Sequence, residues 1–136
     1  MNCIANYFSA FCYNVDMIKF LAEADAMKIE GVPYQCVDWN KIKEERHEGE
    51  SGEAIWRTFE RGNVRARVVE YSAGYLANHW CPRGHVLFVL EGSVISELED
   101  GGKEELRAGM GYVAEDDEKK RHRSFSPNGA KLFIVD

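Results

Sequence analysis

The stretch His79-Trp80-Cys81-Pro82-Arg83-Gly84-His85 gathers three metal-binding side chains around one turn. In an extended segment successive side chains alternate faces, so His79 and Cys81 are expected on one side and Trp80 on the other. Pro82-Arg83-Gly84 reads as the turn, and Val86-Leu87-Phe88-Val89-Leu90 as the strand running back from it, which sets His85 beside the first two. His122 offers a fourth donor downstream, and of the four histidines only His47 falls outside the set.

Outward from this stretch the chain reads as short strands. Ile55 to Phe59 is followed by a turn at Glu60-Arg61-Gly62-Asn63, after which Val64, Ala66 and Val68 alternate with Arg65 and Arg67 as far as Tyr71. Ser72-Ala73-Gly74 ends that run. Beyond His85 the strand is expected to stop at Glu91-Gly92, and a second begins at Val94 and reaches the Asp100-Gly101-Gly102 turn. Glu104 to Leu106, Tyr112 to Ala114, His122 to Ser126 and Lys131 to Val135 complete about ten strands. Regular strands with glycine and aspartate turns predict an all-β sandwich or barrel whose alternate residues face inward.

Upstream the pattern differs. Residues 1–26 read as an N-terminal extension in which only Val15 to Ala26 has the period of a short amphipathic helix, and 27–136 as a single domain. Gly31 to Val37 is expected as an extended arm, Asp38-Trp39-Asn40 as a helix entry, and Lys41 to Glu50 as a polar connection with His47 exposed among glutamates.

The chain has 136 residues, 45% of them hydrophobic, which suits one domain with a real core. A net charge of -6 with scattered bases gives no footprint for nucleic acid or an anionic membrane. No apolar run is long enough to span a bilayer and no leader pattern opens the chain, so a cytoplasmic protein is expected. The cysteines at 3, 12, 36 and 81 form no metal-finger pairs, and a reducing compartment keeps Cys81 a free thiol.

The spacing also resembles a known family. Gly74, four residues, His79-x-Cys81, three residues, His85, six residues and Gly92 follow the first motif of the cupins, with Cys81 at the second histidine and His85 at the glutamate. Gly109-Met110-Gly111 and His122 resemble the second motif in degenerate form. More closely, 27–136 is similar to small proteins called DHCW-motif cupins through Trp56-Arg57-Thr58, Val69-Glu70-Tyr71, His79-Trp80-Cys81, Gly84-His85, Leu90-Glu91-Gly92, His122-Arg123-Ser124 and Gly129 to Asp136. Asn78 stands where that name implies aspartate. The resemblance implies a cupin double-stranded β-helix barrel of jelly-roll type, and fold alone names no reaction.

Three histidines and a carboxylate are the usual cupin ligands; three histidines and a thiolate carry the same count and charge. His79, Cys81, His85 and His122 are therefore expected to hold a divalent transition metal, with Zn, Fe, Ni or Cu suiting imidazole and thiolate donors better than Mg or Ca. Arg57, Arg65 and Arg67 are candidates to clasp a carboxylate substrate, and Asn78 and Ser124 to support the ligands. Two functions fit: a metal-dependent enzyme acting on a small, perhaps anionic, molecule, or a non-catalytic ligand-binding or sensing barrel with a structural metal or none. A homodimer is expected, with the Val32 to Val37 arm adding to a neighbour's sheet edge.

Overall fold

A computed structural model describes residues 27–136; the helix expected over Val15 to Ala26 lies outside the described residues. Nine strands follow a single 3₁₀ turn at Trp39–Lys41. They are β1 (Glu44–Glu48), β2 (Glu53–Arg61), β3 (Val64–Tyr71), β4 (Tyr75–Leu76), β5 (His85–Leu98), β6 (Lys103–Arg107), β7 (Gly111–Ala114), β8 (His122–Ser126) and β9 (Ala130–Val135). The order across the curled sheet is β1-β2-β3-β9-β5-β8-β4, with β6 and β7 also paired to β5 and every pairing antiparallel.

The largest departure from expectation is at β5. A stop at Glu91-Gly92 is not what forms: the strand runs unbroken for 14 residues and only kinks there. Gly92 takes a left-handed φ of 73°, and the register against β9 shifts between Val89 and Glu91. The first half of β5 pairs with β7 and β9, the second with β6 and β8, so one strand serves both layers. Straight, such a strand would hold its ends roughly 40 Å apart. The bend at Gly92 instead brings His85, at its start, round towards His122, which lies opposite Leu98 at its end. A Cβ at Gly92 would sit 2.3 Å from the Gly129 carbonyl oxygen. Gly92→Ala is thus expected to cost about 2 kcal/mol or more, from left-handed strain and the backbone clash together. Urea unfolding checks this, and a loss within the ordinary scatter of surface variants would dismiss the kink as a requirement.

Two further readings change. The expected polar connection over Lys41 to Glu50 holds the edge strand β1, whose charged side chains cover a sheet edge that would otherwise invite pairing. His47 on that strand is not a free loop residue, because its ring lies 4.1 Å from that of Trp56. The arm over Gly31 to Val37 forms no strand within this chain. The segment just before it is held by Asn63, in the β2–β3 turn, which donates to the Lys28 carbonyl (2.8 Å) and accepts from the Glu30 amide (2.8 Å).

The core comprises Ala54, Val69, Leu87, Val89, Val94, Leu106, Leu132 and Ile134, drawn from β2, β3, β5, β6 and β9. On β3 the alternation resolves against the simplest assumption. Ala66 and Val68 are buried on the outer side, while Arg65 and Arg67 line the barrel cavity. Trp39 meets Phe133 edge-on at 5.5 Å, on the β9 neighbour of Val68, which helps to cover that outer side.

Candidate metal centre

The site is built first by backbone pairing. Cys81 N donates to His122 O (2.7 Å) and His122 N to Cys81 O (3.0 Å), an antiparallel pair that sends both side chains the same way. The connection before β5 is held by the Gly84 amide donating to Asp116 Oδ1 (2.6 Å). A Cβ on Gly84 would meet the Ala114 carbonyl oxygen at 2.4 Å, so glycine is required for this close approach. His85 then enters opposite Ala114.

One donor atom from each of Cys81, His85 and His122 lies within 4.8 Å of the other two. His85 Nε2 and His122 Nε2 face each other at 3.2 Å. Two imidazole nitrogens bound about 2.0 Å from one tetrahedral cation would be separated by about 3.3 Å, so the pair already has the spacing of co-ligands. Burial lowers the His85 pKa to about 4, helped by the neighbouring His122, and burial lowers that of His122 as well. Both rings are neutral at pH 7, the form that donates to a metal. The donor set and its spacing fit a transition-metal ion of the kind that accepts nitrogen and sulfur.

His79 stands apart from this cluster. Strand β4 ends at Leu76 and the chain bends at Asn78 and His79, so the alternation that would have aligned His79 with Cys81 does not apply there. His79 is exposed and lines the same cavity as the three. Asn78 Nδ2 donates to the Glu48 carbonyl (3.0 Å), which turns its Oδ1 towards His79 Nδ1 (2.8 Å). That nitrogen must carry the proton, leaving Nε2 as the free acceptor of the ring.

The cavity has a volume of about 380 Å³. Arg65 and Arg67 line it, and both are joined to Asp136: Arg65 through Nε (2.9 Å) and Nη2 (2.5 Å), Arg67 through Nη2 (3.0 Å). Arg57 is not in the wall. It alternates to the other face of β2, where Glu70 and Glu44 take its guanidinium. Ser124 shares a face with His122 and lines the cavity.

Two participants were not singled out from sequence. Tyr112 places its hydroxyl 2.7 Å from His85 Nε2, and burial raises its pKa. Among the described residues Asp136 is the single acidic one lining the cavity. Tyr112 sits in no recognisable motif, and Asp136 ends a stretch noted only for its resemblance; each arrives through strand register, Tyr112 opposite Leu87 and Asp136 beside Arg65 by reciprocal backbone hydrogen bonds of 2.7 and 2.9 Å.

No family model matches the chain, and no curated protein matches it. Solved structures do. An RmlC-like cupin from Shewanella frigidimarina is similar at 18% identity and TM-score 0.58, over 76% of this chain and 89% of that one. A predicted oxalate decarboxylase from Thermotoga maritima is similar at 13% identity and TM-score 0.64, over 74% of this chain and 96% of that one. HppE in its Fe(II) form with an alternative substrate is similar at 17% identity and TM-score 0.61, over 79% of this chain and 61% of that one. At such identities the likeness concerns architecture: this chain has the fold of a small cupin, a β-barrel.

Proposed function

We propose that the protein is a metal-dependent enzyme acting on a small molecule bound in the barrel, with Cys81, His85 and His122 as the metal-holding residues and His79 as the donor at the cavity mouth. The observation that carries this reading is the 3.2 Å approach of the two neutral Nε2 atoms beside Cys81 in a cavity of about 380 Å³. A closed structural site would surround its ion on all sides; here the ligands open onto space for a substrate, which favours chemistry over a purely structural metal. One of the similar structures, Fe(II)-HppE, carries a metal in its name, and this supports a metal role.

A bound Zn, Fe, Ni or Cu ion would polarise an oxygen of the substrate or supply redox chemistry. The chain's own residues do the rest. Asn78 orients His79, and Arg65 and Arg67 present positive charge to an anionic substrate. The Tyr112 hydroxyl bonds the same His85 nitrogen that faces His122. Its proton is therefore free for a bound ligand whenever that nitrogen's lone pair is engaged elsewhere.

Elemental analysis of protein purified without added metal tests the proposal. About one transition-metal ion per chain is expected in the parent, lost in His85→Ala and His122→Ala, reduced in Cys81→Ser and largely kept in His79→Ala. Absence of metal in the parent even after reconstitution, or full retention in His122→Ala, would overturn it and leave a ligand-binding barrel.

A further inference from the structure

Among the described residues, four buried side-chain atoms have no hydrogen-bond partner: His47 Nε2, Trp56 Nε1, Arg67 Nε and His85 Nδ1. Three of the four belong to residues lining the one cavity of the metal cluster. Trp56 Nε1 and Arg67 Nε are obligate donors, so neither can satisfy the other. They are also neighbours: the Arg67 guanidinium carbon lies 4.6 Å from the ring centre of Trp56.

Charge narrows what is missing. Arg65 and Arg67 share one carboxylate, Asp136, and the nearby Arg83 and Glu60 offset each other, which leaves one positive charge over. Arg67 is only 6% exposed, so water does little to screen it. Burial indeed holds its guanidinium below the ordinary arginine range, despite Asp136. Arg123, also on the wall, is taken by Glu97 and Glu50 and adds nothing to this end. Cys81 is not the missing counter-charge once it serves a divalent metal, because the ion and the thiolate together are positive.

We propose that Trp56 Nε1 and Arg67 Nε form a subsite for the carboxylate of a small ligand, whose remainder extends towards Cys81, His85 and His122. It rests on the preceding reading for the ligand's far end and for the charge of Cys81. A carboxylate supplies two coplanar acceptor oxygens and one negative charge, which meets both open donors and the surplus cation at once; a water or a hydroxyl meets the donors alone. Asp136 is the positioning residue: it holds the Arg67 Nη2 edge and so leaves Nε for the ligand.

The test is a titration of ¹⁵N-labelled protein, chelator-treated and zinc-loaded, with acetate, acetamide and sodium chloride at matched ionic strength. The readout is the indole N–H signal of Trp56, assigned by its loss in Trp56→Phe. Acetate is expected to move it saturably and the two controls are not. Arg67→Lys, which keeps the charge and removes the Nε donor, is expected to weaken acetate binding by about tenfold or more, the size of one charge-assisted hydrogen bond. The Trp39 and Trp80 indole signals report whether that variant is folded. An unmoved Trp56 signal in both forms, equal movement by acetamide or chloride, or unchanged affinity in folded Arg67→Lys would overturn the subsite. Failure of zinc to bind, with the acetate response intact in chelated protein, would overturn the metal reading and leave the subsite standing.

Discussion

Asp136→Ala is expected to lower the unfolding free energy at pH 7 by about 3–5 kcal/mol, the cost of stranding a buried charge. Its side chain is 9% exposed and bonds Arg65 and the buried Arg67. Removal would leave the Arg67 guanidinium in the barrel with no counter-charge. Arg65 is 32% exposed and contributes less, since solvent screens it. Asp136→Asn keeps an acceptor and the shape, so a smaller loss is expected. The pH dependence follows from sign. Burial works to raise the Asp136 pKa, but the Arg65 hydrogen bond and the two guanidinium charges outweigh it and hold the carboxyl below its ordinary value. A depressed folded-state pKa stabilises above the unfolded value. This contribution is therefore complete above about pH 4 and fades as pH falls through the folded-state value. Urea unfolding of parent and variants across that range measures it. A parent and an Asp136→Ala that unfold at the same urea concentration at pH 7 would show that the pair is not needed.

The second large effect is stabilisation by metal. A ligand that binds only the folded state at a thousandfold above its dissociation constant adds about 4 kcal/mol. Zinc-loaded protein should therefore resist urea by about that margin over chelator-treated protein. His85→Ala should show little difference between the two conditions, because its ring supplies one of the two nitrogens at 3.2 Å. The margin should also shrink in acid, as protons compete for imidazole and thiolate. Identical unfolding curves with and without zinc in the parent would remove the folded-state metal site.

Much of this was legible from spacing. The Gly62-Asn63 hairpin and the Asp100-Gly101-Gly102 turn lie where glycine chemistry puts them, because turn geometry is a local property, whereas Pro82-Arg83-Gly84 forms an irregular connection held by Asp116 and Asp117. The meeting of Cys81, His85 and His122 was likewise foreshadowed by residue types rare enough in this chain to be noticed. His79 shows the limit of that reasoning. Period-two alternation holds only while the backbone is extended, and a bend at Asn78 and His79, tied down by Glu48 some thirty residues away, cancels it.

Sequence by itself determined that this chain builds a small β-barrel of short strands and that histidine and cysteine donors converge near one turn; both follow from residue periodicity and local turn preferences. Tertiary structure alone decided which faces point inward. On β3 the arginines rather than Val64 and Val68 face the cavity, because Asp136 arrives from beyond β9 to meet them. At β5 a glycine that reads as a stop became a bend, because neighbours on both layers keep the strand paired on either side of it. Tyr112 reached the site through register with Leu87, on a strand distant in sequence. Pairing between distant strands is set by the whole sheet, and no window of sequence contains it.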